Sequence, residues 1–306
     1  MRLAAIDIGT NSVLLLIAEV NAGGLTALVD RSTITRLGEG VDATGQLAPA
    51  AMDRTASCLT AYAEVIAGHG VTRVGAVATS AMRDARGGDA FLDRAEAIVG
   101  VRPEVISGRD EALFTFAGAL SGLTLAGPVS VFDVGGGSTE IILGEAGTDE
   151  GPPRIDEAVS LNVGAVRLTE RHLPSDPPLE DELAALAADA GAVLATGPAM
   201  AGRPLVGVGG TVTTVAAIVG AVDPYDSARV HGARLSRTEL EHTRKRLAAL
   251  PLAQRHAIQG LPKKRADVIV AGTALVELLA ARAEASELVV SDRGVRWGLA
   301  QKLALS

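Results

Sequence analysis

Ile6-Asp7-Ile8-Gly9-Thr10-Asn11-Ser12 and Phe132-Asp133-Val134-Gly135-Gly136-Gly137-Ser138 are two copies of one pattern, matched residue by residue at a constant offset that also pairs Glu19 with Glu145. Each copy is an apolar strand ending in aspartate, a glycine-bearing turn with a hydroxyl residue, and a second apolar run. Repetition on this scale points to two related lobes. The unit also suits an anion: glycine lets the backbone come close, successive N–H groups converge on oxygen, and Thr or Ser adds donors. One such turn reads equally well as a plain hairpin. Two turns with an acid at each strand end can instead grip neighbouring phosphoryl groups across a cleft, with Asp133 and Glu140 able to orient a hard, oxygen-liganded cation.

Around these copies, strand periods alternate with helical ones, which predicts an α/β layered fold. Strands are expected at residues 3–9, 13–20, 26–36, 71–78 and 104–107, with helices at 49–68, 80–85 and 110–123; Pro49 supplies a helix start. In the second half β segments are expected to about residue 169. They are followed by a helix at 179–194, a strand at 205–208, a helix after Thr211, a capping box at Ser236 and Glu239, a long helix at 266–283, a strand at 288–291 and a closing helix at 295–305. Residues 147–153 and 174–178 read as surface connections. The lobe boundary falls near residues 123–127, giving lobes of 1–124 and 125–306, with the last helix able to pack back on the first lobe.

Composition excludes several classes. A net charge of −8 and 2% aromatic residues disfavour a nucleic-acid partner, which asks for a broad basic face and rings to stack on bases. Cys58 is the only cysteine, so no internal disulfide framework or thiolate metal cluster forms, and a reducing, cytoplasmic location is expected. Residues 205–222 carry no charge, yet four glycines and three threonines interrupt them, which reads as a buried strand, turn and helix rather than a membrane span.

A third glycine turn, Gly207-Val208-Gly209-Gly210-Thr211, ends a strand and opens a helix, a setting that favours an anion. None of the four lysines (Lys245, Lys263, Lys264, Lys302) follows a suitable glycine loop, which removes the P-loop class.

Seven elements, AIDIGTNS, ATSAMRDA, ISGRDEA, VFDVGGGSTE, GVGGTVTT, LPKKRADVIVAG and VSDRGVRWG, together span nearly the whole chain. In order and approximate spacing they resemble the exopolyphosphatase and guanosine pentaphosphate phosphohydrolase family. The resemblance implies two ribonuclease-H-like lobes of the actin-like ATPase superfold, the active site in the cleft between them, and hydrolysis of terminal phosphoanhydrides that depends on Mg²⁺, with Mn²⁺ as a substitute. It implies Glu111 as the catalytic base that deprotonates water. Asp133, Glu140 and Asp7 correspond to metal-associated carboxylates. Thr10, Asn11, Ser12, Arg83, Gly135, Gly136, Gly137, Ser138, Gly209, Gly210 and Thr211 are the implied phosphate contacts. Lys263, Lys264, Arg265 and Arg293 form a polyphosphate path, against the default of a solvated face. The chain is expected to lack the extra C-terminal helical region of longer members, and a homodimer is compatible with the resemblance. Inorganic polyphosphate is the expected substrate, guanosine pentaphosphate the alternative. A non-catalytic alarmone or nucleotide sensor is the alternative of another class; it would keep the glycine loops and lose the acid, and Glu111 is present.

Overall fold

In the computed structural model, which describes residues 1–22, 24–147 and 153–305, the first copy of the repeat forms the middle of a sheet. Strand β1 (Arg2–Ile8) pairs antiparallel with β2 (Ser12–Asn21), which pairs with β3 (Gly24–Ile34). On its other side β1 lies parallel to β4 (Arg73–Ala78), next to the short β5 (Glu104–Val105), giving the order β3-β2-β1-β4-β5. Parallel neighbours need a crossover connection. Here α1 (Val41–Thr44) and α2 (Pro49–Ala67) lead to β4, α3 (Ser80–Asp84) and α4 (Asp89–Val99) lead to β5, and α5 (Gly108–Ala119) follows it. The alternation of β1 and β2 buries both faces: Ile6, Ile8, Val13, Leu15 and Ile17 pack with Leu59, Tyr62, Phe91 and Leu92, whereas Leu3, Ala5, Leu16 and Ala18 pack with Ile106 and Trp297. That is why both strands read as nearly continuous apolar runs.

The second copy builds a second sheet the same way. Its strands are β6 (Gly127–Val134), β7 (Thr139–Ala146), β8 (Arg154–Leu161), β9 (Leu205–Val208), β10 (Arg234–Ser236) and β11 (Glu287–Val290), in the order β10-β11-β9-β6-β7-β8. Read from the β8 edge, the first five strands repeat the first sheet's order and directions, and β10 is added beyond them. The helices are α6 (Ala165–His172), α7 (Glu180–Leu194), α8 (Gly209–Val219), α9 (Ser227–Val230), α10 (Arg237–Ala248), α11 (Leu252–Arg255) and α12 (Ile269–Arg282), with a 3₁₀ turn at Lys263–Arg265. The expected repeat of ribonuclease-H-like lobes is thus present as sheet order. Residues 165–169, read as β from sequence, belong to the helix that runs to His172, and residues 89–99 form a helix for which no element was expected.

The chain divides into Met1–Gly118 with the residues from Val295 onward, and Ala119–Gly294. The closing helix, α13 (Val295–Leu305), therefore belongs to the first unit. Val295, Leu299 and Ala300 pack with Leu3, Leu16 and Val77, and Arg296 grips Asp30 of β3 through two hydrogen bonds of 2.7 and 3.0 Å. The expected surface loop 147–153 lies, at 148–152, outside the described residues. Residues 205–222 are β9 followed by the 11-residue α8, and among the described residues no helix is long and apolar enough to cross a membrane.

Candidate active site

The two repeated turns are held by the same device. In the first unit Gly9 N–H donates to Ser12 O at 2.9 Å; in the second Gly135 N–H donates to Ser138 O at 3.0 Å. The carbonyls of each turn are then consumed by the segment after the sheet's third strand. Gly38 N–H donates to Thr10 O, and Thr35 and Arg36 N–H donate to Asn11 O. In the second unit Ala165 N–H donates to Gly135 O, Val166 and Arg167 N–H donate to Gly136 O, and Arg167 Nε donates to Gly137 O at 2.9 Å. These donors include the first N–H groups of α6, which have no partner within their own helix. Because a trans peptide is planar with C=O and N–H opposed, anchoring those carbonyls turns the N–H groups of Asn11, Ser12, Gly136, Gly137 and Ser138 the other way. Gly164 makes the close approach of α6 feasible: a Cβ there would fall 2.5 Å from Gly136 O.

The acids differ between units. Asp133 and Glu140 are direct cross-strand partners in β6 and β7, whereas Asp7 in β1 faces Leu14 in β2. Cross-strand partners project to the same side of a sheet. Glu140 is buried, and its Oε1 accepts from Ser160 Oγ at 2.7 Å. Asp133 Oδ1 occupies the space that a side chain at Gly209 would take, and Gly209 has a φ of 95°, so glycine is required at the third turn on both counts. Helix α8 starts at that turn, and the Arg265 guanidinium sits where a Cβ on Gly210 would be. Loss of water around that guanidinium pulls Arg265 down to about 10, with Tyr225 opposing.

In the first unit the structure joins two residues that the sequence assigned to different tasks. Arg83 Nη1, at the end of α3, donates to Glu111 Oε2 at 2.6 Å and to Ile106 O at 3.0 Å. Burial pushes the Glu111 carboxyl above its usual range, and the Arg83 guanidinium pulls against that shift. In the same unit Thr10 Oγ1 and Ser80 Oγ share a buried 2.8 Å hydrogen bond, and Asn11 Oδ1 is buried with no hydrogen-bond partner. Asp110, next to Glu111, is engaged locally: Ser107 Oγ donates to its carboxylate at 2.7 Å and accepts its N–H at 3.1 Å, as a helix start requires.

The four cations of the expected path separate. Lys263 and Lys264 are exposed on the 3₁₀ turn, Arg265 is turned onto Gly210, and Arg293 Nη1 donates to Ser121 O and Oγ at 3.0 and 3.1 Å. Sequence reasoning missed the Arg83–Glu111 pair, Ser160 against Glu140, and the anchoring of both turns. Gly164 was the one visible signal of the last.

Residues 16–306 match the Ppx/GppA phosphatase family. The chain is 41% identical to Exopolyphosphatase 2 of Mycobacterium tuberculosis (strain ATCC 25618 / H37Rv), over 99% of this chain and 98% of that one. Among solved structures, it resembles the Aquifex aeolicus Ppx/GppA family member at a TM-score of 0.81 and 34% identity, covering 100% and 98% of the two chains. An exopolyphosphatase from Cytophaga hutchinsonii is similar at a TM-score of 0.87 and 28% identity, covering 99% and 98%. With both sheets, the glycine turns and these matches in agreement, the chain belongs to the Ppx/GppA phosphatase family and is a hydrolase.

Proposed function

We propose that the protein is an exopolyphosphatase that removes the terminal phosphate of inorganic polyphosphate. The observation that carries this reading is the pair of like-built turns, whose anchored carbonyls aim successive N–H groups at a common kind of ligand. N–H groups arranged this way suit phosphoryl oxygens. In the reaction, a water oxygen forms a bond to the terminal phosphorus while the bridging P–O bond breaks. The shortened chain leaves with that electron pair, and the Glu111 carboxylate takes the water proton. N–H donors of this kind stabilise charge on the equatorial oxygens, so positioning and charge stabilisation supply most of the rate.

The donor chemistry around Asp133 fits Mg²⁺. The set is all oxygen, and glycine at position 209 leaves the Asp133 carboxylate the space it occupies. Among the described residues no group of three or more His, Cys, Asp or Glu could hold a metal ion. Mg²⁺ uses one or two carboxylates and takes its other ligands from phosphate and water. Asp133 and Glu140, cross-strand partners in the second unit, would hold it. When bound, the ion would neutralise charge on the phosphoryl oxygens.

The test is orthophosphate release from long-chain polyphosphate, guanosine pentaphosphate and ATP, each with and without Mg²⁺. The proposal predicts the highest kcat/KM on polyphosphate. Faster turnover of guanosine pentaphosphate would move the assignment to that substrate, and release from none of the three would end the hydrolase reading of this site.

A further inference from the structure

Arg83 and Glu111 come from separate helices, α3 and α5, and their side chains are 21% and 10% exposed. A carboxylate this buried stays ionised only with a counter-charge, and Arg83 is the charged group acting on it. The same contact has a cost for catalysis. A carboxylate held against a guanidinium is a weaker proton acceptor, and a guanidinium spent on a carboxylate is not spent on phosphate. Arginine presents a planar fork of donors that suits a phosphoryl group better than it suits one carboxylate oxygen. The first glycine turn belongs to the same unit, and its Thr10 is tied by a buried hydrogen bond to Ser80, which opens the helix that carries Arg83.

Resting on the phosphoanhydride-hydrolase reading, we infer that Arg83 holds Glu111 in the empty protein and exchanges it for the substrate's terminal phosphate, so that arrival of the phosphate frees the base. Removing the Glu111 charge should then liberate Arg83 and tighten phosphate binding, but only while Arg83 is present.

The experiment is a double-mutant cycle of the full chain: wild type, Glu111→Gln, Arg83→Gln and the double variant. Calorimetry with Mg²⁺ measures binding of a methylene-bridged triphosphate, which cannot be hydrolysed. Glu111→Gln should tighten binding at least about fivefold, the lower end of ordinary coupling between sites. In the Arg83→Gln background the same change should alter binding by less than about twofold, as for independent positions. Equal tightening in both backgrounds means that general charge repulsion is responsible, and overturns the exchange; so does no tightening at all. Urea unfolding of the ligand-free variants gives a readout without substrate. Arg83→Gln alone should lower the midpoint more than the double variant does, because it strands a buried carboxylate; additive midpoints overturn the pair. Arg83→Lys serves the same cycle if the glutamine variant does not fold, with the tightening again lost, since an ammonium cannot reproduce the fork. Failure of the hydrolase reading is seen separately, as no phosphate release by the wild type from any of the three substrates.

Discussion

Glu111 and Asp110 are adjacent acids with opposite surroundings, which makes them a matched pair for testing roles. Glu111 is buried against Arg83, whereas Asp110 is exposed and closes the helix start with Ser107. Glu111→Gln keeps size and a hydrogen bond but loses the basic oxygen, so kcat should fall roughly 10²–10⁴-fold, the worth of a positioned general base. Asp110→Asn should leave kcat within about threefold and stability little changed, because the Ser107 Oγ cap on the residue-110 N–H stays and an amide oxygen still accepts from Ser107 Oγ. Steady-state kinetics with circular dichroism on both variants checks this, and an essential Asp110 would mean that the other acid is the base. Burial raises the Glu111 carboxyl, so the native group holds its proton to higher pH than an ordinary glutamate near 4.3. As pH falls the base is therefore lost early, and the acid limb of kcat/KM should lie above about 4.3. Arg83→Gln should move that limb further up, since the counter-charge opposing the rise is gone. The acid itself was legible in ISGRDEA. Its partner was not, because the two residues are 28 positions apart and only the packing of α3 against the β5–α5 connection makes them meet.

Among the elements, what was legible followed from period. β1, β2 and β9 are strands because their apolar alternation or short apolar run admits nothing else, and the capping box at Ser236 and Glu239 opens α10 as expected. Helix α6 was hidden because its first residues continue the mainly apolar, β-like run of Ala158 to Val166, and its start is decided by carbonyls of a glycine turn about thirty residues away. The third turn gives a direct test. Gly209→Ala places a Cβ on the Asp133 carboxylate at a φ of 95°, and should cost about 1–3 kcal/mol of stability together with most of the activity. Gly100→Ala is the control: its φ is 77° with nothing near the added carbon, so stability should fall while activity persists. Helix α13 offers a second test. Asp30 takes both Arg296 bonds and Trp297 Nε1 at 3.2 Å, so Asp30→Ala should destabilise the protein by about 1.5–3 kcal/mol. Replacing Arg296 by Met in the same protein should recover part of that, because no stranded charge remains. Urea unfolding reads both.

At the scale of the whole molecule, a net charge of −8 must be reconciled with a polyanionic substrate. Asp7 and Glu111 in the first unit, and Asp133 and Glu140 in the second, are acids of the stretches proposed to meet phosphate, so a divalent cation should be obligatory. Phosphate release should vanish with excess EDTA and return with Mg²⁺ or Mn²⁺; full turnover in chelator would remove the metal assignment. The cations then divide by exposure. Lys263 and Lys264 are exposed and can reach distal phosphates of a long chain, whereas Arg265 is turned onto Gly210 at the proposed reacting end. Lys263→Gln with Lys264→Gln should raise KM for long polyphosphate by about threefold, the scale of exposed charge pairs, and leave triphosphate unchanged. That difference should shrink on adding salt, because exposed charges are screened over about 10 Å at 0.1 M. Arg265→Gln should instead impair both substrates alike and be less sensitive to salt, since a guanidinium that has lost its water is poorly screened. Arg293→Gln should show chiefly in unfolding, because its guanidinium is committed to Ser121. Kinetics on the two chain lengths at two ionic strengths separates the three cases, and equal losses for both lengths in the double lysine variant would reduce those lysines to solvated surface.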